Sequence, residues 1–156
     1  MNVRTRFGLL LLIPGLALAA GQDANTADPR IGDWVEEKVS GSYPQGTGLR
    51  ISVEDLRDGR FRYRIRSLQV DARCDGGKYP YVDGNGKPDG RTLSCRITGP
   101  RSVESIGTLP NPDPAANFTL VETVSEDGNF LTGIATYRDV NGKFVREVRR
   151  QFQRRP

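Results

Sequence analysis

Arg146 and Arg150 lie four residues apart in the segment Phe144-Val145-Arg146-Glu147-Val148-Arg149-Arg150-Gln151-Phe152. In a strand, residues two apart share a face, so both arginines stand with Phe144, Val148 and Phe152. If the apolar members of that face are buried, two guanidinium groups are buried with them. A guanidinium withdrawn from water needs a counter-charge, and its planar fork suits a carboxylate or a phosphate. The same count puts Glu122 on the face of Phe118, Leu120 and Val124. Arg146, Arg150, Glu122, Phe118, Leu120, Phe144 and Phe152 therefore form a candidate ligand-binding set. Arginines would hold the head of a small amphipathic anion, and the apolar side chains would face its body. The alternative is an internal ion pair with Glu122, or arginine heads that reach the water at a barrel mouth.

A second arginine pattern runs through Arg60, Arg62, Arg64 and Arg66, alternating with Phe61, Tyr63 and Ile65. It makes a basic strip on one strand face. One reading is a module docking on an acidic surface or partner. The other is a solvated outer face, balanced by Glu36, Glu37 or Glu54 on neighbouring strands.

The chain has no histidine. That removes the commonest general base, the usual serine or cysteine triads and most zinc or copper sites, and it argues against an enzyme. A hydrolase working through two carboxylates is a third reading, but no pair of acids stands out by spacing. The segment 83–90, Asp-Gly-Asn-Gly-Lys-Pro-Asp-Gly, departs from the EF-hand pattern, with Lys87 and Pro88 where a ligand and the turn glycine belong. It reads as a hairpin loop, and no metal or cofactor is expected. Cys74 and Cys95 are the only cysteines. In an exported chain they read as one disulfide, and without a C-x-x-C spacing they do not read as a redox pair.

The elements that must position these residues begin with a leader. Residues 1–20 carry Arg4 and Arg6, the apolar run 7–13, a break at Pro14-Gly15 and the small residues Ala17-Leu18-Ala19-Ala20. This is the pattern of a cleaved secretory signal peptide, and no cysteine at the cut stands ready for a lipid. The expected location is periplasmic or secreted, with no transmembrane segment. Residues 21–32 read as a flexible lead-in, and 33–156 as one domain. Formal net charge is +4 for the whole chain and falls to about +2 without the leader, too weak a field to capture nucleic acid.

Ten strands are predicted, at 33–39, 49–55, 60–66, 68–74, 79–82, 92–97, 103–109, 118–124, 130–137 and 143–152. Alternation such as Leu49, Ile51, Val53 marks one buried and one exposed face. Asp58-Gly59 and Asn141-Gly142 suit two-residue hairpin turns. The apolar phase switches at Ser67, from odd positions to Leu68 and Val70, which predicts a bulge or a turn at 66–68. The pattern is that of an all-β antiparallel up-and-down barrel of eight to ten strands, with a sandwich as the alternative. Tyr79 and Tyr81 flank a strand proline and pack in the core or at the rim. Trp34 is placed as a plug at one end.

Several segments are similar to a family of small, secreted, lipocalin-like bacterial proteins. Ile31-Gly32-Asp33-Trp34 resembles the G-x-W start of lipocalin-type barrels. Asp75-Gly76-Gly77-Lys78-Tyr79-Pro80-Tyr81-Val82 resembles a "DGKxYPV" segment, 92–104 the strand pair that follows it, and 124–132 a "VSxDGxxLT" hairpin. The cysteine pair and the longer 83–90 loop depart from that pattern. The resemblance implies an up-and-down β-barrel and, by analogy, a small apolar or amphipathic ligand. Fold alone does not fix function.

Overall fold

The computed structural model describes residues 28–41, 48–110 and 114–156, and of 38–41 the backbone only. The expected signal peptide, 1–20, lies outside the described residues, as do 21–27. Ten strands follow one another: β1 (Gly32–Gly41), β2 (Arg50–Asp55), β3 (Phe61–Ile65), β4 (Leu68–Ala72), β5 (Tyr79–Val82), β6 (Pro88–Gly99), β7 (Ser102–Thr108), β8 (Asn117–Val124), β9 (Phe130–Arg138) and β10 (Phe144–Arg154). Each pairs antiparallel with its neighbour in sequence, and β1 pairs with β10, so the sheet closes into a barrel. Closure settles barrel against sandwich. No helix among the described residues is long and apolar enough to cross a membrane.

The alternation works as expected. Ile51 and Val53 of β2, and Phe61 and Tyr63 of β3, are buried, while Glu54 faces out. The phase switch at Ser67 is a turn: Ile65 pairs with Leu68, and Arg66 takes a left-handed φ of 55°. The other hairpins depart from expectation. Asp58-Gly59 and Asn141-Gly142 do not form two-residue turns. Leu56 N–H donates to Arg60 C=O, and Asp139 N–H donates to Lys143 C=O, which leaves three residues in each loop. Gly59 and Gly142 supply the left-handed position such a loop requires, at φ 76° and 79°. Asp139 favours the longer loop because its Oδ1 accepts from the backbone of both Asn141 and Lys143. Asp83 does the same for Asn85 and Lys87 in the β5–β6 hairpin, so the loop spans 83–87 and is shorter than the expected 83–90, whose last three residues already belong to β6.

One end of the barrel is plugged. Trp34 is fully buried, its Nε1 donates to the Arg30 carbonyl at 2.7 Å, and the Arg154 guanidinium lies 4.3 Å from the ring centroid. Arg154 also donates to the carbonyls of Ile31 and Gly128, which ties the lead-in and the β8–β9 hairpin to this end. Cys74 and Cys95 are bonded, with their Cα atoms 4.5 Å apart. In the chain-entropy model a loop of this size contributes about 3 kcal/mol. The bridge fastens the 73–78 segment onto β6 beside the isolated pairing of Asp75 with Arg96.

The lead-in departs most from its sequence reading. Residues 28–30 are packed against the barrel floor, and Arg30 is only 1% exposed.

Candidate functional site

Beyond the plug the barrel encloses a cavity of about 270 Å³. A water occupies about 30 Å³ in the liquid, so the space holds roughly nine groups of that size. Its apolar walls include Ile51, Ile65, Leu68, Leu93, Phe118 and Leu120. Phe118 lies over Gly107, where a Cβ would come within 2.2 Å of the ring, so glycine is what lets this wall close. Phe118 in turn packs against Tyr137, with ring centroids 5.9 Å apart.

The sequence-derived set is partly gathered here. Phe118, Leu120, Glu122, Arg146, Arg150 and Phe152 all line the cavity. Phe144 does not, and it is 55% exposed. A bulge between Phe144 and Arg146, against Arg138 and Tyr137 of β9, changes the phase of β10 there and turns Phe144 outward. The expected pairing is also replaced. Glu122 does not meet Arg146 or Arg150; it accepts from Arg30 Nη1 at 2.5 Å, at the floor. Arg150 bonds Glu36, which therefore points inward and does not balance the outer arginine strip. Arg146 stacks over Tyr137, 4.2 Å from the ring centroid.

Arg30 is a cavity-lining side chain that strand counting missed. Its Nε and Nη2 bond Asp28, its Nη1 bonds Glu122, and it rests over the rings of Phe61 and Tyr63. Burial alone would lower its affinity for a proton. Glu122 and Asp28 outweigh that and raise it, so Arg30 is always charged. Burial raises the proton affinity of Glu122, and sharing one guanidinium with Asp28 limits the compensation. Tyr63 and Tyr81 line the same space, and burial, with Glu122 nearby, pushes both phenols up, so they stay neutral.

Two further polar residues line the cavity. Arg91 of β6 pairs with Asp89 at 3.3 Å, yet its Nε is buried without a hydrogen-bond partner. Ser105 of β7 is 1% exposed, and its Oγ has no partner either. Both are in phase with inward neighbours, Arg91 with Leu93 and Cys95, and Ser105 with Val103. The count applied to β10 finds them when applied to β6 and β7. Arg30 gives no such signal, because it precedes the first strand.

The arginine strip is mostly neutralised. Arg60 pairs with Asp58 at 2.8 Å and Arg64 with Glu54 at 3.1 Å. Arg62 forms a two-pronged bond with Asp71, both contacts at 2.6 Å. Arg66 leaves the strip, because the left-handed turn carries it to the open end of the cavity. The Arg62 hydrogen bond lowers the Asp71 proton affinity below the ordinary carboxylate value. A depressed carboxylate stabilises the fold above its unfolded value of about 3.9 and loses that contribution as pH falls through the folded value. Asp71→Asn is accordingly expected to cost up to about 1 kcal/mol at pH 7. Urea midpoints of the two proteins should converge below about pH 4; a gap unchanged at pH 3 would contradict the assignment.

Fold and cavity together define a small closed antiparallel barrel with a hollow, polar-ended interior. No family model matches the chain, and no curated protein sequence matches it. Among solved structures it is similar to the crystal structure of Rv2717c from M. tuberculosis, with a TM-score of 0.47 and 15% identity over 82% of this chain and 94% of that one.

Proposed function

We propose that this protein is an exported, lipocalin-like barrel that binds a small amphipathic anion in its cavity and catalyses nothing. The observation that carries the reading is the buried Arg91 Nε, a donor of a charged group without a hydrogen-bond partner in the wall of the cavity. An unmet donor of this kind costs free energy, and an anionic oxygen from a ligand would satisfy it. Arg66 and Arg146 line the same cavity, so an anion held there sits in positive surroundings, its apolar part against Phe118, Leu120 and Phe152. The disulfide fits an oxidising compartment.

The cavity volume sets the size of the guest at about ten heavy atoms, which makes octanoate a suitable probe. Titration calorimetry of the oxidised protein is expected to show octanoate binding, octanol binding more weakly, and Arg91→Ala weakening octanoate about tenfold, the value of one charge-assisted hydrogen bond. No binding of octanoate or of a sulfonate of similar size would overturn the proposal. Native mass spectrometry of protein taken from its own host would then show the natural guest directly.

A further inference from the structure

The two ends of the cavity differ in the sign of what they present. Arg66 and Arg91 belong to the open end: Arg66 sits in the β3–β4 turn, and Arg91 stands one residue beyond the Thr92–Thr108 pair. Ser105 pairs with Cys95, four residues deeper along β6, or about 13 Å at the rise of a strand. Toward that depth lie Arg30, Glu122 and Tyr63, all buried and all lining the cavity.

This floor is rich in acceptors. Asp28 and Glu122 share the single charge of Arg30, which leaves one formal negative charge in excess. Glu122 uses Oε2 for Arg30 and lines the cavity beside it. Ser105 Oγ is buried and has no hydrogen-bond partner. Buried polar atoms of native proteins are nearly always satisfied, and a serine hydroxyl can both give and accept. A guest that reaches the floor with a purely apolar end would leave Ser105 Oγ unsatisfied and would not answer the excess negative charge.

Building on the anion-binding reading above, we infer that the cognate ligand is bipolar: a small carboxylate whose far end is a hydrogen-bond donor, a primary ammonium or a hydroxyl, seated against Glu122 and Ser105. The excess negative charge favours the ammonium over the hydroxyl, and the apolar waist of Ile51, Leu93, Leu120 and Val148 selects an unbranched spacer between the two ends.

The test compares octanoate, 8-hydroxyoctanoate and 8-aminooctanoate by calorimetry on the oxidised wild-type protein. Both substituted acids are expected to bind at least about tenfold more tightly than octanoate, since one charge-assisted or well-placed buried hydrogen bond supplies that factor, and the amino acid is expected to lead. Ser105→Ala should reduce the advantage of the substituted acids over octanoate. Glu122→Gln should abolish the lead of the amine over the alcohol; should that variant fail to fold, the Ser105→Ala comparison still decides. Octanoate binding as tightly as the substituted acids would overturn the bipolar ligand and leave the anion-binding proposal standing. Absence of binding by all three would overturn both.

Discussion

Glu122→Ala is expected to destabilise the barrel by about 3–5 kcal/mol, the usual cost of removing one partner of a buried ion pair. Glu122 and Arg30 are each 1% exposed, and they meet at 2.5 Å at the floor of the cavity. Without Glu122 the guanidinium keeps Asp28 alone, and its Nη1 is left in the interior with no acceptor. Arg30 cannot escape the cost by losing its proton, because the two carboxylates hold its proton affinity above the ordinary arginine value. Arg30→Ala should cost as much, since it strands Glu122 as an unpaired buried carboxylate. The loss comes from the unpaired charge rather than from any large net gain of the pair, so the double variant Arg30→Met, Glu122→Leu should recover most of it. Urea unfolding at pH 7 measures all three. A Glu122→Ala cost below about 1 kcal/mol would show that the floor is wet and the pair screened.

Trp34→Ala is expected to cost a similar about 3–5 kcal/mol, through the void it opens at the plugged end. The indole is fully buried, and three further elements depend on it. Its Nε1 holds the Arg30 carbonyl, its face carries the Arg154 guanidinium, and Arg154 in turn holds Ile31 and Gly128. Trp34→Phe separates packing from hydrogen bonding. It keeps a ring under Arg154 and leaves the Arg30 carbonyl unmet, at a cost of about 1–3 kcal/mol. Denaturation midpoints rank the three proteins, and an alanine variant as stable as the phenylalanine variant would show that packing contributes little. Because Arg30 is anchored from this side by Trp34 and from the cavity side by Glu122, the Trp34 and Glu122 substitutions should not add.

Counting by twos brought Arg146, Arg150, Glu122, Phe118, Leu120 and Phe152 to the interior, because the pleat gives every strand the same rule. The count failed at Phe144, where one extra residue in a bulge reverses the face, and nothing in the local composition marks that bulge. It also left Arg91 and Ser105 unnoticed, although both obey it; a lone arginine or serine in an apolar phase draws attention only once the strand is known to line a cavity.

By itself the sequence determined the strand ladder, the order of pairing, the turn at Arg66-Ser67 and the cysteine bond. These depend on residues near each other in the chain, or on alternation that any closed meander must obey. Only the tertiary structure decided which inward charges meet. Arg30 competes for Glu122 from outside the strand ladder, and Glu36 comes inward on β1 to take Arg150. Sequence counting places a charge on a face, but not at a depth or an angle around the barrel. Partner choice depends on both, because charges withdrawn from water pair with whatever opposite charge closure brings within reach.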